Sequence, residues 1–377
     1  MHDLIISGGR VIDPSQDIDA ITNIAFSGGT VAALGDDITE SAARTIDAAG
    51  RIVSPGLIDM HAHVYWGATY LSVDAERVAK QSGTTTFIDA GTAGAGTFAG
   101  FRKHIIEPSP LRIIAFLNIS HPGIYGYGPG FMVGESADLR LLHPSACIDV
   151  AREHADLIVG VKVRLGGNVS GDLGVTPLDL AIEAAEELKL PVMVHIGPTP
   201  PHRRDILERL RPGDILTHCC RMFPNALVDA DRNIRAEVDA ARERGVIYDV
   251  GHGRGSFDFT VAQAMIDNGF IPDVISSDVH IVSIDGPAFD VLVTMSKFHC
   301  MGVPLPDVIR AVTENAARAI GRPDLGSLRP GSPGDATILS LEEGSFEYYD
   351  SLGAILTGDK KLNVESIVVG GAVWPED

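Results

Sequence analysis

Cysteine is scarce in this 377-residue chain. The four present, Cys147, Cys219, Cys220 and Cys300, are too few and too scattered for a disulfide framework, which points to a reducing cytoplasm. Long apolar runs are missing too: no stretch of about 18 hydrophobic residues occurs, so no membrane-spanning helix is expected. The opening residues, Met1-His2-Asp3-Leu4-Ile5-Ile6-Ser7, have neither the basic start nor the apolar core of a signal peptide. Positive charge is in deficit, with 30 Lys and Arg against 50 Asp and Glu and a formal net charge of −20. That balance argues against nucleic acid and against an anionic membrane as partners. It does not exclude an anionic small molecule, because a metal site sets its own local potential. No Gly-rich dinucleotide fingerprint follows the early strands.

What is present fits a large globular enzyme. Hydrophobic residues at 45% and charged residues at 21% are ordinary for a folded chain and unlike a disordered one. The length exceeds what one compact core usually holds, so a large domain with a smaller accessory one is expected. Residues 1–54 read as short strands between tight turns, such as Asp3 to Ser7 closed by Gly8-Gly9 and Ile21 to Ser27 closed by Gly28-Gly29. Residues 326–377 read in the same style, with a strand at Gly334 to Ser340 and a hairpin candidate over Val364 to Trp374. We expect the two ends to join as one small β-sandwich domain.

Between them, in residues 55–325, strands alternate with helices. Strand candidates are Val53–Met60, Thr84–Asp89, Leu111–Asn118, Leu157–Val163, Pro191–His195, Asp214–His218, Val246–Val250 and Asp273–Asp278. Helices fit Asp74–Ser82, Pro177–Lys189, Thr260–Asn268, Pro287–Met301 and Pro306–Ile320, among others. Such alternation predicts an α/β fold, a (β/α)8 TIM-type barrel, over the alternative of an open doubly wound sheet. The Gly- and Tyr-rich segment from His121 to Gly130 predicts a mobile loop over the barrel mouth.

The residues that end these strands carry the chemistry. His61 and His63 stand two apart, on one face of a strand. Lys162, His195, His218 and Asp278 each follow a short apolar run. In a parallel barrel the strand C-termini meet at one face, where catalytic groups gather. Imidazoles and carboxylates suit zinc and other first-row divalent metals. A lone strand histidine is usually a packed core residue. Six such positions in order are not explained that way, and a buried, unpaired Lys162 would be costly. His280 shares a face with Asp278 and is a candidate to orient a ligand. Cys220 faces the side of His218, but small buried cysteines are common.

This motif set resembles the amidohydrolase superfamily, in its dihydroorotase-like branch alongside D-aminoacylases and related deacetylases. The resemblance spans nearly the whole chain. It rests on Pro55-Gly56-Leu57-Ile58-Asp59-Met60-His61-Ala62-His63, on the positions of Lys162, His195, His218 and Asp278, and on Asn315 to Gly321 followed by Gly331 to Ala336. It implies two divalent metal ions, with zinc favoured over manganese or iron, and Lys162 carboxylated by carbon dioxide to a bridging carbamate. His61, His63 and Asp278 would hold one ion, and His195 and His218 the other. Such a pair shares a hydroxide that attacks a carbonyl at neutral pH. Asp278 would shuttle the proton to the leaving group. The resemblance also allows a homo-oligomer.

Substrate recognition is expected from Arg164, His252, Arg254 and Tyr127. Arg164 lies two residues past Lys162, and Gly251-His252-Gly253-Arg254-Gly255 follows the seventh strand with glycines that admit close backbone approach. Arginines at the mouth suggest a substrate carboxylate, and Tyr127 is a candidate donor to an oxyanion. The leading expectation is removal of an acyl group, acetyl above all, from a small carboxylate-bearing amide or ester. A cyclic amidase of the dihydroorotase or hydantoinase kind is the alternative. Val64-Tyr65-Trp66-Gly67 follows His63 where dihydroorotase-like enzymes place an arginine, which weighs against that activity. A non-catalytic scaffold would have no use for the complete ligand set.

Overall fold

Seven parallel strands follow one another in chain order across one sheet: Leu57–Ala62, Thr84–Gly94, Arg112–Asn118, Ile158–Leu165, Val192–Ile196, Ile215–Thr217 and Ile247–Asp249. The computed structural model describes residues 1–128 and 130–375; Pro129 of the expected loop and Glu376 and Asp377 of the C-terminal module lie outside these. The eighth expected strand is not a regular one. Val274 bridges Asp249 and Val279 bridges Ala62, both in parallel sense, so residues 274–279 join the two edges of the sheet and close the ring. Asp278 has φ 47°, in the left-handed region, which interrupts the ladder that a regular strand would continue. Among the described residues no helix is long and apolar enough to cross a membrane.

Strand alternation sorts side chains between two layers. Val161, Val163 and Leu165 pack outward with Leu178, Ala181 and Ala185 of the helix Thr176–Leu188. Lys162 and Arg164, on the other face of that strand, therefore point inward, as expected. The interior below them is filled by Ile58, Met60, Ile88, Ile114, Phe116, Met193, Ile215 and Val274. Helix starts follow their capping residues. Asp74 accepts from Glu76 N ahead of Ala75–Ser82, Asp258 from Thr260 N ahead of Phe259–Asp267, and Asp290 from Val293 N ahead of Val291–Cys300. The single helix expected over Pro306–Ile320 is two, Leu305–Ala311 and Glu314–Ala319.

Both chain ends do build one sheet. Five N-terminal strands between His2 and Pro55 pair with Ala336–Tyr349, Ile355–Val369 and Ala372–Trp374, joined where Val53 lies opposite Ile338. Ile6, Val11, Phe26, Val53, Ile338 and Val368 give it an apolar cluster of its own. The pairing links all eight strands into one connected sheet, where a sandwich has two. Gly8-Gly9 does not close a strand: the strand runs on to Asp13, with a register shift between Ile6 and Gly9. The C-terminal hairpin is far longer than Val364–Trp374. Its tip reaches the ring, where Ser351 N donates to Phe257 O at 2.9 Å and Phe259 N to the Asp350 carboxylate at 3.2 Å.

Asp59, fully buried, ties the first strand to the closing segment by accepting from Ser277 N at 3.0 Å and from the Ser277 hydroxyl. Asp59→Ala leaves both donors buried and unpaired. We expect a loss of about 2 kcal/mol in unfolding free energy, read as a lower urea midpoint at unchanged slope.

Candidate metal centre and active site

His61 and His63 present their Nε2 atoms to one carboxylate oxygen, Asp278 Oδ1, at 3.3 and 3.2 Å. Across the ring, His218 Nε2 faces His195 Nδ1 at 2.7 Å. Single ligand atoms of His61, His218 and Asp278 all lie within 4.8 Å of one another. Lys162 is fully buried beside them, and among the described residues its Nζ has no hydrogen-bond partner.

Protons can be placed on these rings from their other sides. The Thr92 hydroxyl donates to Asp89 Oδ2 at 2.8 Å, so it must accept from His63 Nδ1, 2.8 Å away. The Thr217 hydroxyl donates to Asp249 Oδ2 at 2.6 Å and accepts from His61 Nδ1 at 2.8 Å. His218 Nδ1 meets the Gly251 carbonyl at 2.6 Å, and a carbonyl only accepts. Each of the three rings thus carries its proton on Nδ1. Burial, the largest influence on each, lowers the pKa of His61, His195 and His218 well below the usual value and that of His63 to about 3. Neutral rings with Nδ1–H have a lone pair on Nε2. Two such lone pairs against one carboxylate oxygen repel unless a cation lies among them, so the donor set fits a divalent metal. Burial also brings Lys162 down to about 7, which gives an amine able to lose its proton.

The backbone is bent to this purpose. His218 and Asp278 have φ 71° and 47°, a left-handed conformation costing on the order of 1 kcal/mol or more for such residues. Gly251, at φ 45°, lies so close that a Cβ there would fall 2.3 Å from Thr217 Oγ1 and 3.0 Å from His61 Nδ1. One at Gly253 would lie 2.3 Å from Asp278 Oδ2. These glycines thus admit the loop to the ligand side chains.

Above the centre opens a cavity of about 240 Å3, lined by His61, His63, Lys162, His195 and Asp278 together with Tyr127, Arg164 and Arg254. His218 completes the ligand group from beneath. Tyr127 comes from a short antiparallel pair, Gly126–Gly128 with Phe131–Val133, at the end of the segment expected to loop over the barrel mouth. Burial raises its pKa, so the phenol keeps its proton. Arg164 is paired with buried Glu135 at 3.3 Å, and Arg254 is exposed at the rim. His280 also lines the cavity.

His252 is not part of the cavity wall. It is fully buried, stacks on Phe257 with ring centroids 4.3 Å apart, and accepts from Lys297 Nζ at 2.7 Å. Its expected role in substrate binding followed from its place after the seventh strand. The turn at Gly253 sends only Arg254 toward the mouth. Cys220 lies against Met265, Sγ to Sδ 3.9 Å, away from the ligands. Sequence reasoning did not single out Thr92, Thr217, Asp249 or Arg221. An aspartate at the end of an apolar strand, as Asp249 is, was a signal for one of them.

A family model described as "Amidohydrolase family" matches residues 52–373. A curated relative named "Deacetylase", from Brucella anthropi, is 35% identical over 354 residues, covering 93% of this chain and 87% of its own. A solved structure described as an adenine deaminase superposes with TM-score 0.93 at 31% identity over all of both chains. One described as a dihydroorotase gives 0.89 at 33% identity, over 99% of this chain and 98% of its own.

Thr217→Val and Thr92→Val remove the acceptors that fix the ring protons. Each is expected to weaken divalent-metal affinity roughly 10- to 100-fold, while Thr→Ser retains it, measured by competition with a chromophoric chelator.

Proposed function

The chain belongs to the amidohydrolase family, and from that footing we propose that this hydrolase removes an acyl group, acetyl first among them, from a small carboxylate-bearing amide or ester. The observation that carries the reading is the convergence of unprotonated ring nitrogens, the Asp278 carboxylate and the unpartnered Lys162 amine at the floor of a cavity whose walls are rich in arginine. The relatives' names differ in reaction, and the arginines favour an anionic substrate over a neutral purine.

In this reading His61, His63 and Asp278 would hold one divalent ion and His195 and His218 a second, zinc being our choice. Lys162 would supply a further oxygen ligand as a carbamate formed from its neutral amine and carbon dioxide. Ions so held supply a polarised carbonyl and a water acidic enough to react near neutral pH. The remaining work falls to the chain. Asp278 accepts the proton of the attacking water and returns it to the leaving atom. Tyr127, kept protonated by its surroundings, donates to the oxygen that gains charge. Arg254 stands at the rim to meet an incoming anion.

The likeness to a dihydroorotase keeps ring opening of a cyclic imide as a second reading. Against it, Trp66 projects into solvent and Tyr65 stacks on Phe101, so neither replaces an arginine beside the histidines.

Protein prepared with zinc and bicarbonate is expected to hold about two metals per chain and to release acetate from N- or O-acetyl derivatives of small α-substituted acids. Turnover of dihydroorotate alone would keep the centre and refute the substrate class; no metal and no turnover would refute both. Asp278→Asn should lower kcat by about 100-fold or more, and Lys162→Ala should lose metal along with activity.

A further inference from the structure

Three arginines line the cavity, and their circumstances differ. Arg164 is neutralised by Glu135. Arg254 is exposed, so water screens it. Arg221 is 6% exposed and, among the described residues, forms no ion pair with any carboxylate. Its hydrogen bonding is nearly empty as well. Nη1 donates to the carbonyl of Ile196 at 2.5 Å, while Nε is buried without a partner. Nε and Nη2 form the side-on edge with which a guanidinium grips a carboxylate in two parallel bonds. Among the described residues that edge meets no protein acceptor. Burial alone lowers its pKa, to about 10, and the group still carries its charge at neutral pH. A buried, unpaired cation costs several kcal/mol unless something completes it.

Its location is fixed by backbone. Arg221 N donates to His218 O at 3.1 Å, and the carbonyl that holds Nη1 belongs to the residue after His195. The guanidinium therefore stands on the His195 and His218 side of the cavity. Arg254 lies near enough to His280 and Tyr127 for its charge to act on both.

We propose that Arg221 is the residue that binds the substrate's carboxylate, holding it on the His195 and His218 side of the cavity. This rests on the acyl-hydrolase reading and narrows it. Arg254 is then left for the approach of the anion and the departure of products.

The test compares wild type with Arg221→Met and Arg221→Lys, each with metal content measured. Substrates are an O-acetyl α-hydroxy acid and its uncharged methyl ester; binding of free α-hydroxy and α-amino acids is followed by calorimetry. Arg221→Met should reduce the ratio of acid to ester kcat/KM by about 100-fold, the worth of a two-bond charged contact. Arg221→Lys should recover part of it, since an ammonium keeps the charge but loses the fork. Equal losses on acid and ester, or no loss, would overturn the assignment. If wild type turns over no acyl compound, the acyl-hydrolase reading fails, and calorimetry decides Arg221 separately. Carboxylate binding by wild type that vanishes in Arg221→Met sustains the anion site. Absence of binding to wild type, or undiminished binding to the variant, refutes it.

Discussion

Everything at the centre depends on where three protons are not. Thr92 and Thr217, each held as a donor by a buried aspartate, and the carbonyl of Gly251 keep the ring protons of His63, His61 and His218 on Nδ1. The Nε2 lone pairs of His61 and His63 are thereby aimed at Asp278, and that of His218 accepts from His195 Nδ1. Each imidazole is buried enough to stay neutral. Two imidazole lone pairs facing one carboxylate oxygen form an unfavourable arrangement for a protein to hold alone, and the same arrangement favours a cation.

The rest of the ring bears the strain of that geometry. Asp249 accepts from both Thr217 and Ser276, and Ser276 in turn accepts from Gly251 N at 3.0 Å, so one buried carboxylate secures a ligand and the loop beside it. Asp59 secures the closing segment on which Asp278 rides. His218 and Asp278 hold left-handed backbone conformations only because their surroundings over-determine them. The candidate metal ligands thus come from four strands and one irregular segment, and closure of the ring is what makes them neighbours.

The sheet built from the chain ends is coupled to the same region. Its hairpin tip, through the carbonyl of Tyr349, shares Lys297 with Pro287 and with His252, the residue before the turn that positions Arg254. Lys297 is fully buried and so spends its donors on three separate segments. The accessory sheet is therefore part of what shapes the cavity mouth, through a contact that neither module makes by itself.

Much of this was legible beforehand. Strand periods, helix caps and the order His61, His63, Lys162, His195, His218, Asp278 are local properties, and local sequence determines which face of a strand a residue occupies. Lys162 and Arg164 pointed inward because Val161, Val163 and Leu165 could only pack outward. The resemblance of the motifs to one family was equally a property of the sequence. What depended on tertiary structure were the relations between distant residues. His252 and Arg254 look equivalent in Gly251-His252-Gly253-Arg254-Gly255, and only packing on Phe257 and Lys297 sends one inward and the other to the rim. Arg164 and Arg221 look equally cationic, and only the folded chain gives one a glutamate and leaves the other without. Burial and pairing are set by residues tens of positions away, and no local pattern encodes them.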